Sequence, residues 1–116
     1  MTLNYDTSYQ GSTTEWECPE GDVFITIAAE NGNVWIDAKV GKAGTPINSD
    51  AFAISALVGT AIRNGIPVKK IVKILRGVSH EDSNHLLARS TRGALSLSDA
   101  IGKALAEHYG GELDAI

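Results

Sequence analysis

Cysteine is almost missing from this chain of 116 residues: Cys18 stands alone. One thiol excludes an intrachain disulfide and a cysteine-built zinc site, and it suits a reducing, cytoplasmic setting. Long apolar runs are missing too. None approaches the roughly 20 residues that a membrane-spanning helix needs. The polar opening, Met1–Thr14, has neither the basic nor the apolar region of a secretory leader. Surplus positive charge is also lacking, since 10 Lys and Arg against 14 Asp and Glu leave a net charge of −4. Bulk nucleic-acid binding depends on cationic side chains displacing counterions, so it is not expected. A local basic pocket for one phosphate ligand remains compatible with that balance.

What is present is the material of a single globular domain. A hydrophobic share of 43% and a charged share of 21% are ordinary for one, and the length is enough to bury a core without staples. Residues 1–12 are polar and aperiodic. They read as an arm, either loose or ordered against a partner subunit, ahead of a domain over 13–116.

The N-terminal half carries strand signals. Val23–Ala28 is β-branched and aromatic. Asn31-Gly32 offers the positive φ angles of a tight hairpin turn. Val34, Ile36, Ala38 and Val40 then alternate onto one face, with Trp35, Asp37 and Lys39 on the other. Thr13–Glu17 adds a short edge strand. Two or three strands do not stand alone in water, so helices or a second subunit must cover them.

The C-terminal half reads as helical. Asn48 or Ser49 is placed to cap a helix over 50–64, with Ile54, Leu57, Val58, Ala61 and Ile62 on one stripe. Small residues, Ala53, Ala56, Gly59 and Thr60, occupy the other side, as in a helix buried on more than one face. Gly65 ends it and Pro67 opens the next helix, which runs to about Arg76. There Val68, Ile71, Val72 and Leu75 face inward and Lys69, Lys70 and Lys73 outward. A long polar stretch, 77–95, leads to a last helix from Ser96, whose spacing to Asp99 is that of a capping box. Leu97, Ile101, Ala104, Leu105 and His108 form its apolar side. The expected fold class is α+β: a small antiparallel β-sheet in the N-terminal half packed against two to three α-helices in the C-terminal half.

No set of residues assembles into a catalytic motif. His80, Glu81 and His85 have the wrong spacing for a zincin helix, so neither a metal nor another cofactor is expected. Cys18 has no thiolate-stabilising neighbour in sequence. Gly41-Lys42-Ala43-Gly44 is not a Walker loop, though its amides could touch a phosphate. The strongest feature is Arg89-Ser90-Thr91-Arg92-Gly93, just ahead of the Ser96 helix start. Two guanidinium forks, two hydroxyls and the free amides of a helix N-terminus together describe an anion site. The competing reading has these arginines paired with Glu81, Asp82 or Asp99. Trp16, Trp35 and Tyr109 are the aromatic candidates. Trp35, opposite the apolar row, either stacks a base or packs in the core or a subunit interface.

Taken in order, these signals resemble one family. Cys18-Pro19-Glu20-Gly21-Asp22-Val23-Phe24-Ile25-Thr26-Ile27, Asn31-Gly32, Gly41-Lys42-Ala43-Gly44, Ala61-Ile62-Arg63-Asn64-Gly65, Ile71–Val78 and Leu95–Leu105 follow the pattern of the TSCPD domain. That domain occurs near the C-terminus of cobalamin-dependent ribonucleotide reductases and as stand-alone proteins. The likeness spans about Trp16 to His108. The family's Cys-Pro-Asp signature is here Leu97-Ser98-Asp99, so a role for its cysteine does not carry over. The reductase radical machinery lies outside the domain.

The resemblance therefore implies fold and ancestry rather than reductase activity. With the donor-rich loop, it leads to the expectation of a non-catalytic, homo-oligomeric binding module for a small phosphate-bearing nucleotide. Arg89, Ser90, Thr91, Arg92, Ser96 and Trp35 would be its contacts. Such a module is similar in kind to the phage sponges that sequester nucleotide immune signals. The alternative is an accessory or assembly domain related to ribonucleotide reductase that works through protein contact.

Overall fold

A computed structural model describes residues 10–19, 21–30, 33–41, 46–76, 78 and 92–110. Among these residues the fold is α+β, with a sheet in the order β1-β2-β3 and three helices. Strand β1 is Gln10–Cys18, β2 is Gly21–Glu30 and β3 is Asn33–Val40. Helix α1 is Pro46–Arg63, α2 is Val68–Leu75 and α3 is Leu97–His108. The last three residues of the polar arm, 10–12, belong to β1; the rest of the arm lies outside the described residues. No described helix is long and apolar enough to cross a membrane.

The sheet is an antiparallel meander whose register follows the alternation of its side chains. Trp16 pairs with Val23 and Val23 with Val40; Ile25 pairs with Ala38 and Ile27 with Ile36. Residues opposite one another share a face, so these apolar side chains line one surface. The helices close over that surface. Ala51 and Val58 of α1, Ile71, Val72 and Leu75 of α2, and Leu97, Ala100, Ile101, Ala104 and Leu105 of α3 join the same buried cluster. Each full-sized aliphatic side chain buried there contributes about 1.5–3 kcal/mol. The other face carries Thr13, Thr26 and Asp37 in one row, with the Thr13 and Thr26 hydroxyls 2.8 Å apart.

Helix α1 lies along β3 in a way the apolar stripe does not predict. Its buried residues include Ala51, Ser55, Val58 and Gly59, whereas Leu57, expected inside, is 71% exposed. The cause is close approach. Ala51, Ser55 and Gly59 recur every fourth residue on one helix face, and a Cβ on Gly59 would stand 3.6 Å from the Val34 carbonyl. The small residues thus face the strand, and the bulkier Phe52 and Leu57 are left outside.

Asn48 does not cap α1. Its Oδ1 accepts from the Val40 amide at 2.9 Å and its Nδ2 donates to the Val40 carbonyl at 3.4 Å. At the far end Arg63 donates to the Val34 carbonyl. Both ends of the outer edge of β3 are therefore closed by side chains from one helix. Gly65, at φ +88°, stops α1 in a left-handed cap, in which Gly65 N–H donates to Ile62 and Ile66 N–H to Ala61. Pro67 then precedes the first residue of α2. On α3, His108 is exposed rather than on the apolar side, with its ring edge-on to Tyr109 at 4.7 Å.

Candidate functional site

The start of α3 is tied to β1 by main-chain bonds. The Glu17 amide donates to the Arg92 carbonyl at 2.6 Å, and the Ala94 amide donates to the Glu17 carbonyl at 2.8 Å. This parallel bridge between Glu17 and Gly93 brings Arg92 to the outer edge of the sheet. Lys103, one helical turn beyond Asp99, donates to the Gly93 carbonyl and fixes the same corner from above.

Among the described residues the Arg92 side chain has two partners. Its guanidinium carbon stands 4.8 Å from the centroid of the Trp16 ring, a cation–π contact. Its Nη1 and Nη2 donate to the two Glu107 carboxylate oxygens at 2.9 and 3.2 Å. Trp16 itself is buried, and its indole N–H donates to Thr14 Oγ1 at 2.7 Å. The fork is thus pre-oriented by an aromatic floor and by a carboxylate that is half-exposed, as Arg92 is. Beside it lies a cleft of about 360 Å³ lined by Thr13, Thr14, Glu15, Glu17 and Arg92.

The helix start is a closed structure. The Ser96 hydroxyl accepts from the Asp99 amide at 3.0 Å and donates to the Val78 carbonyl. The Asp99 carboxylate, 3% exposed, accepts from the Leu95 amide at 2.9 Å and sits 3.6 Å from Arg76 Nε and 3.9 Å from Lys103 Nζ. The reciprocal bond of this capping box therefore goes to Leu95. Among the described residues Arg76 and Lys103 supply charge opposite Asp99, and Arg92 does not.

These positions separate the expected contacts. Arg92 opens onto the cleft, while Ser96 is 3% exposed and does not line it. Trp35 pairs with Ala28 on the face away from the helices, the face that also carries Thr13, Glu15 and Glu17, but it stands on β3, two strands from the cleft, and does not line it. Arg89, Ser90, Thr91, His80, Glu81 and His85 lie outside the described residues. The residues that join Arg92, namely Thr13, Thr14, Trp16 and Glu107, carry no motif. Glu107 is fifteen positions away along the chain, and only the docking of α3 onto β1 brings it near. Cys18 is buried and its thiol donates to the Gly21 carbonyl at 3.0 Å, a structural contact.

A search of curated proteins and a search of solved structures each found no match to this chain. The family model of the TSCPD domain matches residues 3–109. That span takes in every described strand and helix, the β1–α3 corner and the Arg92 cleft, so the chain belongs to the TSCPD domain family.

Proposed function

We propose that this TSCPD domain is a non-catalytic, oligomeric binding module for a phosphate-bearing nucleotide, acting by sequestration in the manner of a phage sponge. The observation that carries the reading is the Arg92 fork, stacked on Trp16 and open to a cleft with the Thr13 and Thr14 side chains. A phosphate takes the place of the Glu107 carboxylate on the same two N–H donors, because both are bidentate acceptors of similar width. The exchange is inexpensive, since exposed ion pairs contribute only about 0–1 kcal/mol. Arg89, Ser90 and Thr91, immediately before Arg92 in sequence, are the further donors of the proposed site.

The charge of the cleft narrows the ligand. Glu15 and Glu17 line it with Arg92, so a polyanionic triphosphate meets two carboxylates. A phosphodiester carries one charge per phosphate and so meets less repulsion from these carboxylates than a triphosphate does, and the carboxylates are acceptors for base amino groups. Cyclic dinucleotides, cyclic trinucleotides and cyclic ADP-ribose isomers fit this description better than nucleoside triphosphates. The non-catalytic reading is supported by the commitments of the reactive groups described above, Cys18 to a carbonyl and Asp99 to a helix cap.

Calorimetric titration with those three ligand classes tests the proposal. Saturable heat with one of them, recovery of the nucleotide unchanged, and no heat with ATP are expected. Absence of heat with every one of them, at protein concentrations of tens of micromolar, overturns it.

A further inference from the structure

Phe24 stands on the middle strand, on the sheet face away from the helices, and is 43% exposed between the buried Val23 and Ile25. The register sets Glu15 of β1 directly opposite it on one side and Lys39 of β3 on the other. A carboxylate, an aromatic ring and an ammonium group therefore form one row across three strands. Neighbouring strands lie about 4.8 Å apart, so the two charges rise from backbones about 10 Å apart. Glu15 and Lys39 are both exposed, and neither has an ion pair among the described residues. The surface is hollow at both ends of the row. Glu15 lines the Arg92 cleft, and Phe24 and Lys39 line a depression of about 450 Å³ beside β3. One exposed phenylalanine is ordinary; the two unpaired charges of opposite sign that flank it give this one a direction.

We infer that the row is a platform for a guanine base, stacked on Phe24 with its donor edge toward Glu15 and its acceptor edge toward Lys39. Aromatic side chains on an open sheet face are a recurrent way of holding a base. Stacking on Phe24 supplies affinity without choosing among bases, because every base has a π face. The flanking charges make the choice. A carboxylate accepts only, and an ammonium donates only. Guanine presents two adjacent donors, N1–H and the N2 amino group, which the two carboxylate oxygens receive together. Its other edge presents two acceptors, O6 and N7. Adenine sets its amino group beside ring N1, whose lone pair then faces the second carboxylate oxygen. Cytosine has the same mismatch at N3, and uracil places a single N–H between two carbonyls. Guanine is the base that satisfies both flanks.

This assignment deepens the proposed function and rests on it for a nucleotide as the ligand. Glu15 belongs to both the row and the Arg92 cleft, which sets the base beside the phosphate. It concerns the base alone, so the phosphate contact at Arg92 can fail without it.

Titration of the isotope-labelled full chain with GMP and with AMP, followed through its amide chemical shifts, tests the platform. GMP should saturate at about tenfold lower concentration than AMP, the preference a bidentate contact gives at an exposed site. The amides of Glu15, Phe24 and Lys39 should shift. Glu15→Gln exchanges one acceptor for a donor and should bring the two affinities to within about twofold of each other. Phe24→Ala should weaken both ligands in equal proportion, and Arg92→Ala should weaken both without changing their ratio. The same spectra show that each variant is folded. A short RNA with one guanine should bind less tightly than GMP, because the net charge of −4 opposes a polyanion; tighter binding keeps the guanine contact and assigns it to a strand. Equal affinity for GMP and AMP in the wild type overturns the platform and leaves the phosphate site standing. So does a guanine preference that survives Glu15→Gln. A preference that Glu15→Gln abolishes, with affinities untouched by Arg92→Ala, keeps the platform and removes Arg92 from the site. Absence of binding by both nucleotides overturns both.

Discussion

Arg63, in the last turn of α1, donates through Nη1 to the carbonyl of Val34 near the start of β3, while its Nη2 reaches Thr60 Oγ1 at 3.1 Å. With Asn48 on Val40 it shields an edge strand whose unpaired main-chain groups would otherwise invite association with another sheet. Arg63→Met keeps the aliphatic stem and removes the donors. The expected loss is about 1.5–3 kcal/mol, the usual contribution of a hydrogen bond to a charged group. Urea unfolding measures it. A loss no larger than that of an exposed lysine, for instance Lys73→Met, would show that the Val34 carbonyl is served by water instead.

The pairing of Arg92 with Glu107 makes two variants move in opposite directions. Arg92→Ala should weaken nucleotide binding by at least about tenfold, since about 1.4 kcal/mol separates each decade. Glu107→Gln removes the competing carboxylate and should tighten binding, while changing stability by less than about 1 kcal/mol. Calorimetry gives the affinities and thermal unfolding the stability. Equal weakening by both variants would mean that the ion pair acts as one structural unit.

At the head of α3, Ser96→Ala removes both an N-cap and the donor to Val78. A cost of about 1–2 kcal/mol is expected. Asp99→Ala should cost more, about 3 kcal/mol or above, because it strands the Leu95 amide and leaves Lys103 beside a buried corner with its carboxylate gone. Chemical denaturation ranks the two. The reverse order would place the main strength of the cap in the hydroxyl.

Ser55 is 2% exposed, and among the described residues its hydroxyl has no hydrogen-bond partner. It faces β3 in the strip of small residues. Ser55→Ala deletes the unpaired oxygen, keeps the close approach and raises helix propensity, so a gain of about 1 kcal/mol is expected. Ser55→Leu should destabilise by about 1–3 kcal/mol through overpacking. A loss of stability in Ser55→Ala would reveal a bonded water at that position.

Much of the fold is legible in the residues because local chemistry and tertiary packing agree there. The alternation of Val34, Ile36, Ala38 and Val40, the left-handed Gly65, the Pro67 start and the Ser96 cap each follow from one residue type at one place. Helix α1 is where the two disagree. Counting apolar residues puts Leu57 inside, but contact with β3 selects residues without bulk, and an exposed apolar face reads in sequence like a buried one. Strand β1 is longer than Thr13–Glu17 predicts because Ser12 and Thr14, on the same face as Trp16, are polar like their neighbours and leave no alternation to read. Of the candidate site, Arg92 is visible as an anion donor, while its surroundings are assembled by α3 meeting β1. Nothing local links Arg92 to Glu107 or Trp16, while the alternation of β3 already puts Trp35 on the face opposite the apolar row.

The two main-chain bonds between Glu17 and the residues flanking Gly93 join nearly the first described strand to the entrance of the last helix. Such a closure cannot form until most of the polypeptide has been brought together, so it belongs late on the folding route and adds to its entropic barrier. Once made, it turns the domain into a ring of elements in which neither terminus-proximal piece can leave singly. The main chain at Arg92 therefore inherits the cooperativity of the whole molecule, and the point from which its guanidinium reaches out holds for as long as the protein stays folded.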